Sequence, residues 1–165
     1  MNKAINSKQS PAAYLAFSLA AAATAAGAAA CCLVFGVPVW AMFVGWVAFF
    51  TRGLTARDGA VNFACVAFGT GIGIAAAIAI GMLQPTLGKM ALPAVVFVVA
   101  TLVVSLRAAP MFNNILAYFL GLIAFFAAHM EPTLGTLIHL ASASALGCFA
   151  GWVSMKLQQG LPRSA

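Results

Sequence analysis

Two carboxylates, two histidines and four cysteines are the groups in this 165-residue chain best suited to acid–base, nucleophilic or metal chemistry. Their spacing offers little to any of the three. Asp58 and Glu131 fall in loops expected on opposite sides of a bilayer, so they cannot act as a carboxylate pair. Asp58 is expected to offset Arg57 or to begin a helix near its positive end, and Glu131, before Pro132, to play a similar role at span six. Cys31, Cys32, Cys65 and Cys148 all sit inside apolar runs, with no histidine or second cysteine at metal-ligand spacing. They read as small apolar residues. His139, one to two turns into the last apolar run, is different. A titratable side chain inside a membrane is costly and is by default a candidate functional group, here for an outer vestibule or a proton relay. The plainer role is a neutral imidazole bonded to a carbonyl between helices. His129, at the outer end of the preceding run, reads as interfacial. No nucleophile–base pair is present, so no enzyme activity, catalytic residue, metal site or cofactor is expected.

The elements that position these groups follow from composition. The chain is 64% hydrophobic and 6% charged, with a mean hydropathy of +1.07. Soluble domains carry roughly 25% charged residues, and eight basic plus two acidic side chains cannot cover a soluble surface of this size. The apolar runs approach the roughly 20 residues that a helix needs to cross about 30 Å of hydrocarbon, and they lack the alternation of a transmembrane barrel. The net charge of +6 is spread singly between runs, without the basic–aromatic clustering of a nucleic-acid surface. The expected fold class is therefore all-α integral membrane, with the bilayer as its first partner and no nucleic acid.

Six runs emerge, at about Pro11–Gly36, Pro38–Thr51, Gly59–Leu83, Ala91–Leu106, Phe112–His129 and Thr133–Met155. The first is too long for a signal-peptide core of about 7–15 residues and reads as a span. Pro38, Pro85, Pro93, Pro110 and Pro132 fall near the breaks, where proline is tolerated. Residues 1–10 and 156–165 read as tails on either side of a single membrane domain at 11–155, with halves at about 11–83 and 91–155. With six crossings, Lys3, Lys8, Arg52, Arg57, Arg107, Lys156 and Arg163 lie on one side and Lys89 on the other. Treating the second and fifth runs as re-entrant spoils this asymmetry. Basic loops face the cytoplasm, so both termini are expected there.

"FVGWVAFF" at Phe43–Phe50 returns as "FLGLIAFF" at Phe119–Phe126, 76 positions later. The same offset pairs Gly45 with Gly121, Gly59 with Gly135 and Gly71 with Gly147. Each phrase occupies the second span of a three-span half. Because three is odd, the second half enters from the opposite side, which makes the halves 3+3 inverted-topology repeats, an arrangement used by many transport proteins. Trp40, Phe43, Val47 and Phe50 form one helical stripe, and Leu116, Phe119, Ile123 and Phe126 its counterpart. The functional reading is an aromatic-walled path constricted by Phe43, Phe50, Phe119 and Phe126. The plainer reading is packing or lipid contact.

Small residues should hold the helices together, since lipid is as apolar as leucine and close backbone approach supplies the contact. Gly69, Gly73, Ala77 and Gly81 form one row on span three. Ala67, Gly71 and Ala75 form a second, with Ala143, Gly147 and Gly151 on span six as its expected repeat. Asn62 and the pair Asn113 and Asn114 could present amides to a polar solute at an inner vestibule, one of the pair serving as a helix cap. With no acidic or basic residue inside a span, the expected cargo of a channel or facilitator is a small uncharged or weakly polar solute. A chain of 16.9 kDa leaves little interior for a path, which favours a homo-oligomer. The alternative is a scaffold or accessory subunit.

The segments "VPVWAMFVGWVAFF" and "NNILAYFLGLIAFFA" resemble the Pro-x-Trp…Phe-x-Gly…Phe-Phe and second Phe-x-Gly…Phe stretches of a bacterial inner-membrane family, domain of unknown function 1097. The likeness covers about Val37 to Met155. It implies a small multispan inner-membrane protein and supplies no active site.

Overall fold

The structure, a computed structural model, describes residues 11–161. Lys3, Lys8 and Arg163 of the charge count lie outside them, as does the tail at 1–10. Six α-helices follow one another: α1 (Pro11–Phe35), α2 (Val39–Phe49), α3 (Ala56–Leu87), α4 (Ala91–Ser105), α5 (Ile115–Ala128) and α6 (Leu134–Gly160). No strand occurs among the described residues.

Local chemistry sets the boundaries. Thr55, Thr133 and Asn114 cap α3, α6 and α5 by accepting from the amides of Asp58 (3.0 Å), Thr136 (3.2 Å) and Ala117 (3.3 Å), satisfying amides that the first helical turn leaves unpaired. Gly36 ends α1 with φ of 65° and Gly88 ends α3 with φ of 53°, backbone that glycine adopts at little cost. The last helix outruns its expected end at Met155. "KLQQG" continues it through helix-forming side chains until Leu161 turns extended, as a residue before proline must.

Three stretches are long and apolar enough to cross a membrane: Ala13–Phe35, Ala56–Ala108 and Leu134–Gly160. The second contains a reversal. Ile72, Ala76 and Leu83 of α3 border the same groove as Val95, Val98 and Leu102 of α4, so the chain doubles back at the short 3-10 turn Gly88–Met90. The shorter apolar helices α2 and α5 complete the bundle. Large apolar side chains face outward everywhere, Val34 at 82% and Phe97 at 74% exposure among them. A water-facing surface could not carry this much apolar area. The chain is an all-helical membrane protein.

The centre is built from two pairs of helices running in the same direction, α2 against α6 and α3 against α5. Each pair is a close crossing in which glycine removes the Cβ that would separate the backbones. A methyl group on Gly45 would collide with the Ser144 carbonyl, and one on Gly121 with that of Val66. On the partner helices, Gly147 lies against Met42 and Gly69 against Tyr118. One turn on, a Cβ on Gly151 would stand 3.2 Å from Phe49, and one on Gly73 would stand 3.1 Å from Phe125. The Cys148 thiol donates to the Gly45 carbonyl at 3.0 Å, and the Thr70 hydroxyl to that of Gly121 at 3.3 Å. α1 lies outside against α6, and α4 outside against α3.

These matched contacts correct the register expected for the small-residue rows. The phenylalanine–glycine helices correspond at 76 residues. The glycine helices correspond at 78, which matches Gly69 with Gly147 and Gly73 with Gly151 rather than Gly71 with Gly147. Gly71 itself faces open space. The cause is local: α5 and its following loop hold two more residues than α2 and its loop, so Thr55 and Thr133 cap α3 and α6 at the larger spacing.

Candidate functional site

The aromatic stripes do not enclose a path within one chain. Trp40 is 40% exposed, Phe43 44%, Phe50 44% and Phe126 43%, while Phe119 is half-buried. Since Gly45 and Gly121 turn the opposite faces of α2 and α5 into the crossings, the stripes must face outward. The inward phenylalanines are Phe49 and Phe125, fully or nearly buried on Gly151 and Gly73. α2 and α5 touch, but their main partners are α6 and α3. Replacing Phe43 with alanine should therefore shift stability by no more than about 0.5 kcal/mol, read as the thermal midpoint of the detergent-solubilised protein.

The asparagines do converge, at the end of the bundle where α2 passes into α3 and α4 into α5. Asn62 is fully buried. Its Nδ2 donates to the carbonyls of Arg52 (2.8 Å) and Phe49 (3.3 Å), and its Oδ1 accepts from Asn114 Nδ2 at 2.8 Å. The same Asn114 amide donates to Thr51 Oγ1 at 2.7 Å, and Thr51 returns its own proton to the Ala48 carbonyl at 2.7 Å. Asn114, then, is both helix cap and network member. Asn113 is exposed and accepts from Arg52, whose Nη1 also donates to the Met111 carbonyl at 3.1 Å.

This network has a structural logic. The last carbonyls of α2 are only partly met by the backbone, Phe50 donating to Val47 and Thr51 to Ala48. Asn62 and Thr51 supply the missing donors. Among the described residues no buried side-chain nitrogen or oxygen lacks a partner, so the buried Asn62 and Asn114 are spent on the fold. Thr70 and Ser144 are likewise engaged: Thr70 bonds its own helix and Gly121, and Ser144 donates to the Ala41 carbonyl at 3.2 Å.

The other end is closed by different chemistry. Moving the network residues by the two offsets lands on Val37, Pro38, Ala127, Ala128 and Leu140. Leu140 is fully buried, in a cluster with Phe125, Ala41 and Ala143 on which Val37 and Ala128 pack. His139, next to it, is half-buried on α6 and makes no hydrogen bond among the described residues. His129 is exposed and ends α5 in the left-handed conformation, φ 50°. Of the glycines named for packing, Gly45, Gly69, Gly73, Gly121, Gly147 and Gly151 lie at crossings, and Gly71 does not.

Two further features could not be read from spacing. An apolar groove of about 310 Å³ lies between the start of α3 and the second half of α6, bordered by Phe49, Phe63, Phe149 and Trp152. A polar basin of about 630 Å³ lies at the asparagine end, bordered by Arg52, Arg57, Asp58, Thr55, Val61 and the Pro110–Met111 turn. The singly placed arginines gave no sign that two of them share one recess. Among the described residues no group of three His, Cys, Asp or Glu side chains is placed to hold a metal ion.

The family described as "Protein of unknown function (DUF1097)" matches residues 14–159. No curated protein and no solved structure matches the chain.

Proposed function

We infer that this chain, which belongs to the DUF1097 family, is a facilitator for a small uncharged or weakly polar solute, built from two inverted three-helix halves in the bacterial inner membrane. The single observation that carries the reading is the recurrence of one set of contacts at the two crossings between the halves. Gly45 on α6 repeats as Gly121 on α3. Phe49 on Gly151 repeats as Phe125 on Gly73. Consecutive helices alternate in direction, so α2 and α5 run oppositely and the halves are related by an axis in the membrane plane. That is the architecture in which solute sites form between repeats.

Six crossings follow in this reading. α2, with 11 residues, rises only roughly 16 Å, and the remaining depth is bridged by non-helical chain. Such chain is tolerated in a membrane when protein groups satisfy it, as Asn62 and Thr51 do for the end of α2. Arg52, Arg57, Arg107 and Lys156 then face the cytoplasm with both termini, and Lys89 faces outward. The closures at the two ends, hydrogen-bonded inside and apolar outside, would act as unlike gates. No catalysis and no cofactor is assigned, and the partners are lipid, the solute and a second copy of the chain.

A second reading, a non-transporting scaffold or accessory subunit, is favoured by the glycine crossings. Backbones in direct contact leave no lumen between the halves.

Stopped-flow swelling of proteoliposomes with glycerol, urea and small amides separates the two. Flux above that of empty vesicles for at least one solute is expected. Its absence for every solute, with a stoichiometric partner recovered after gentle solubilisation, would replace the first reading by the second. A reporter fused after Thr55 should read cytoplasmic, and a periplasmic reading would remove the inverted halves.

A further inference from the structure

We propose that the basin between the α2–α3 loop and the Pro110–Met111 turn binds the phosphate headgroup of an anionic phospholipid. Two guanidinium groups border it, and neither is neutralised. Arg52 is held by uncharged acceptors only, the Met111 carbonyl and Asn113, and both contacts use Nη1. Its backbone is fixed in turn by Asn62, which donates to the Arg52 carbonyl. Arg57 meets only the Met111 sulfur, 3.9 Å from its Nη2. The single acid of the basin, Asp58, is turned toward Thr55, whose hydroxyl donates to Oδ2 at 2.7 Å. No ion pair joins it to either arginine among the described residues.

The recess therefore carries two positive charges against one negative charge, already positioned and short of acceptors. Arginine's planar fork suits phosphate oxygens, and basic recesses at the ends of membrane helices recognise anionic headgroups. The surroundings favour a lipid over a free anion. Val61 and the exposed side chain of Met111 border the recess with the arginines, where an acyl chain would cover them and inorganic phosphate would not. A zwitterionic headgroup would bring its own ammonium toward two guanidinium groups. The opposite end offers only Lys89 among the described residues, so the site is one-sided.

The test is native mass spectrometry of the full chain in detergent, with phosphatidylglycerol and phosphatidylcholine added in equal amounts. The wild type should retain phosphatidylglycerol preferentially. Arg57→Gln should lower that preference about fivefold, the factor expected for one surface arginine, and Arg107→Gln, outside the basin, should leave it unchanged. Asp58→Asn should raise it. Equal retention of the two lipids, or an unchanged preference in Arg57→Gln, overturns the proposal. So does displacement of phosphatidylglycerol by inorganic phosphate alone, which would mark a free-anion site. Should Arg57→Gln not fold, Asp58→Asn decides, and an unchanged or weaker preference there overturns the assignment.

Discussion

Gly147→Val should abolish the folded protein, while Gly71→Ala should leave it intact or stabilise it. Both positions lie in rows of small residues on apolar helices, and composition does not distinguish them. Their surroundings do. A Cβ on Gly147 would run into the carbonyl oxygen of Met42 and the amide of Trp46, whereas one on Gly71 meets nothing within 4 Å. Overpacking ordinarily costs about 1–3 kcal/mol because neighbouring side chains rotate away. Backbone atoms of α2 cannot do so, and α6 would have to move off α2 along the whole crossing, taking the Cys148 and Ser144 hydrogen bonds with it. The same result is expected for Gly45, Gly69 and Gly121. Gly71→Ala removes a flexible residue from a helix interior, a gain of up to about 1 kcal/mol. Fluorescence-detected size exclusion after mild solubilisation reads both outcomes. A monodisperse, thermally unchanged Gly147→Val would mean that the helices do not cross there.

Much of this arrangement was legible in the residues. The apolar runs place all six helices to within a few residues, because Pro38, Pro110, Pro132 and the capping threonines punctuate them, whereas Pro85, expected at a break, lies inside α3. The repeated phrase marks α2 and α5, and the glycine rows mark the helices they pack on. Which glycine faces what was not legible. A helix repeats every 3.6 residues, so the two-residue difference between a spacing of 76 and one of 78 rotates the partner face by more than half a turn. Only the loop lengths carry that information. The aromatic stripe misled for a related reason: Phe49 and Phe50 are adjacent, and periodicity alone cannot say which of two adjacent faces points inward. In a soluble protein the larger apolar face would be inside. In a bilayer burial gives no such preference, and the small face packs while the large one meets lipid.

The asparagine network is the second place where a single substitution should be severe. Asn62→Leu at one end of the bundle copies what the other end already has, since Leu140 occupies the matching position and packs without any polar partner. If only the volume at that position mattered, the variant would be harmless. It should instead cost about 3 kcal/mol, because each buried polar group left unpaired costs roughly 1–3 kcal/mol. The change strands the Phe49 and Arg52 carbonyls and removes one acceptor from Asn114. Asn114→Leu should cost a similar amount, adding the lost cap of α5, worth about 1 kcal/mol, to the donors withdrawn from Thr51 and Asn62. Because the two amides share one hydrogen bond, the double variant should be less damaged than the sum, with a coupling of roughly 0.5–3 kcal/mol. Thermal midpoints of the four proteins in one detergent measure this cycle. Strict additivity would mean that the 2.8 Å bond between the asparagines contributes nothing.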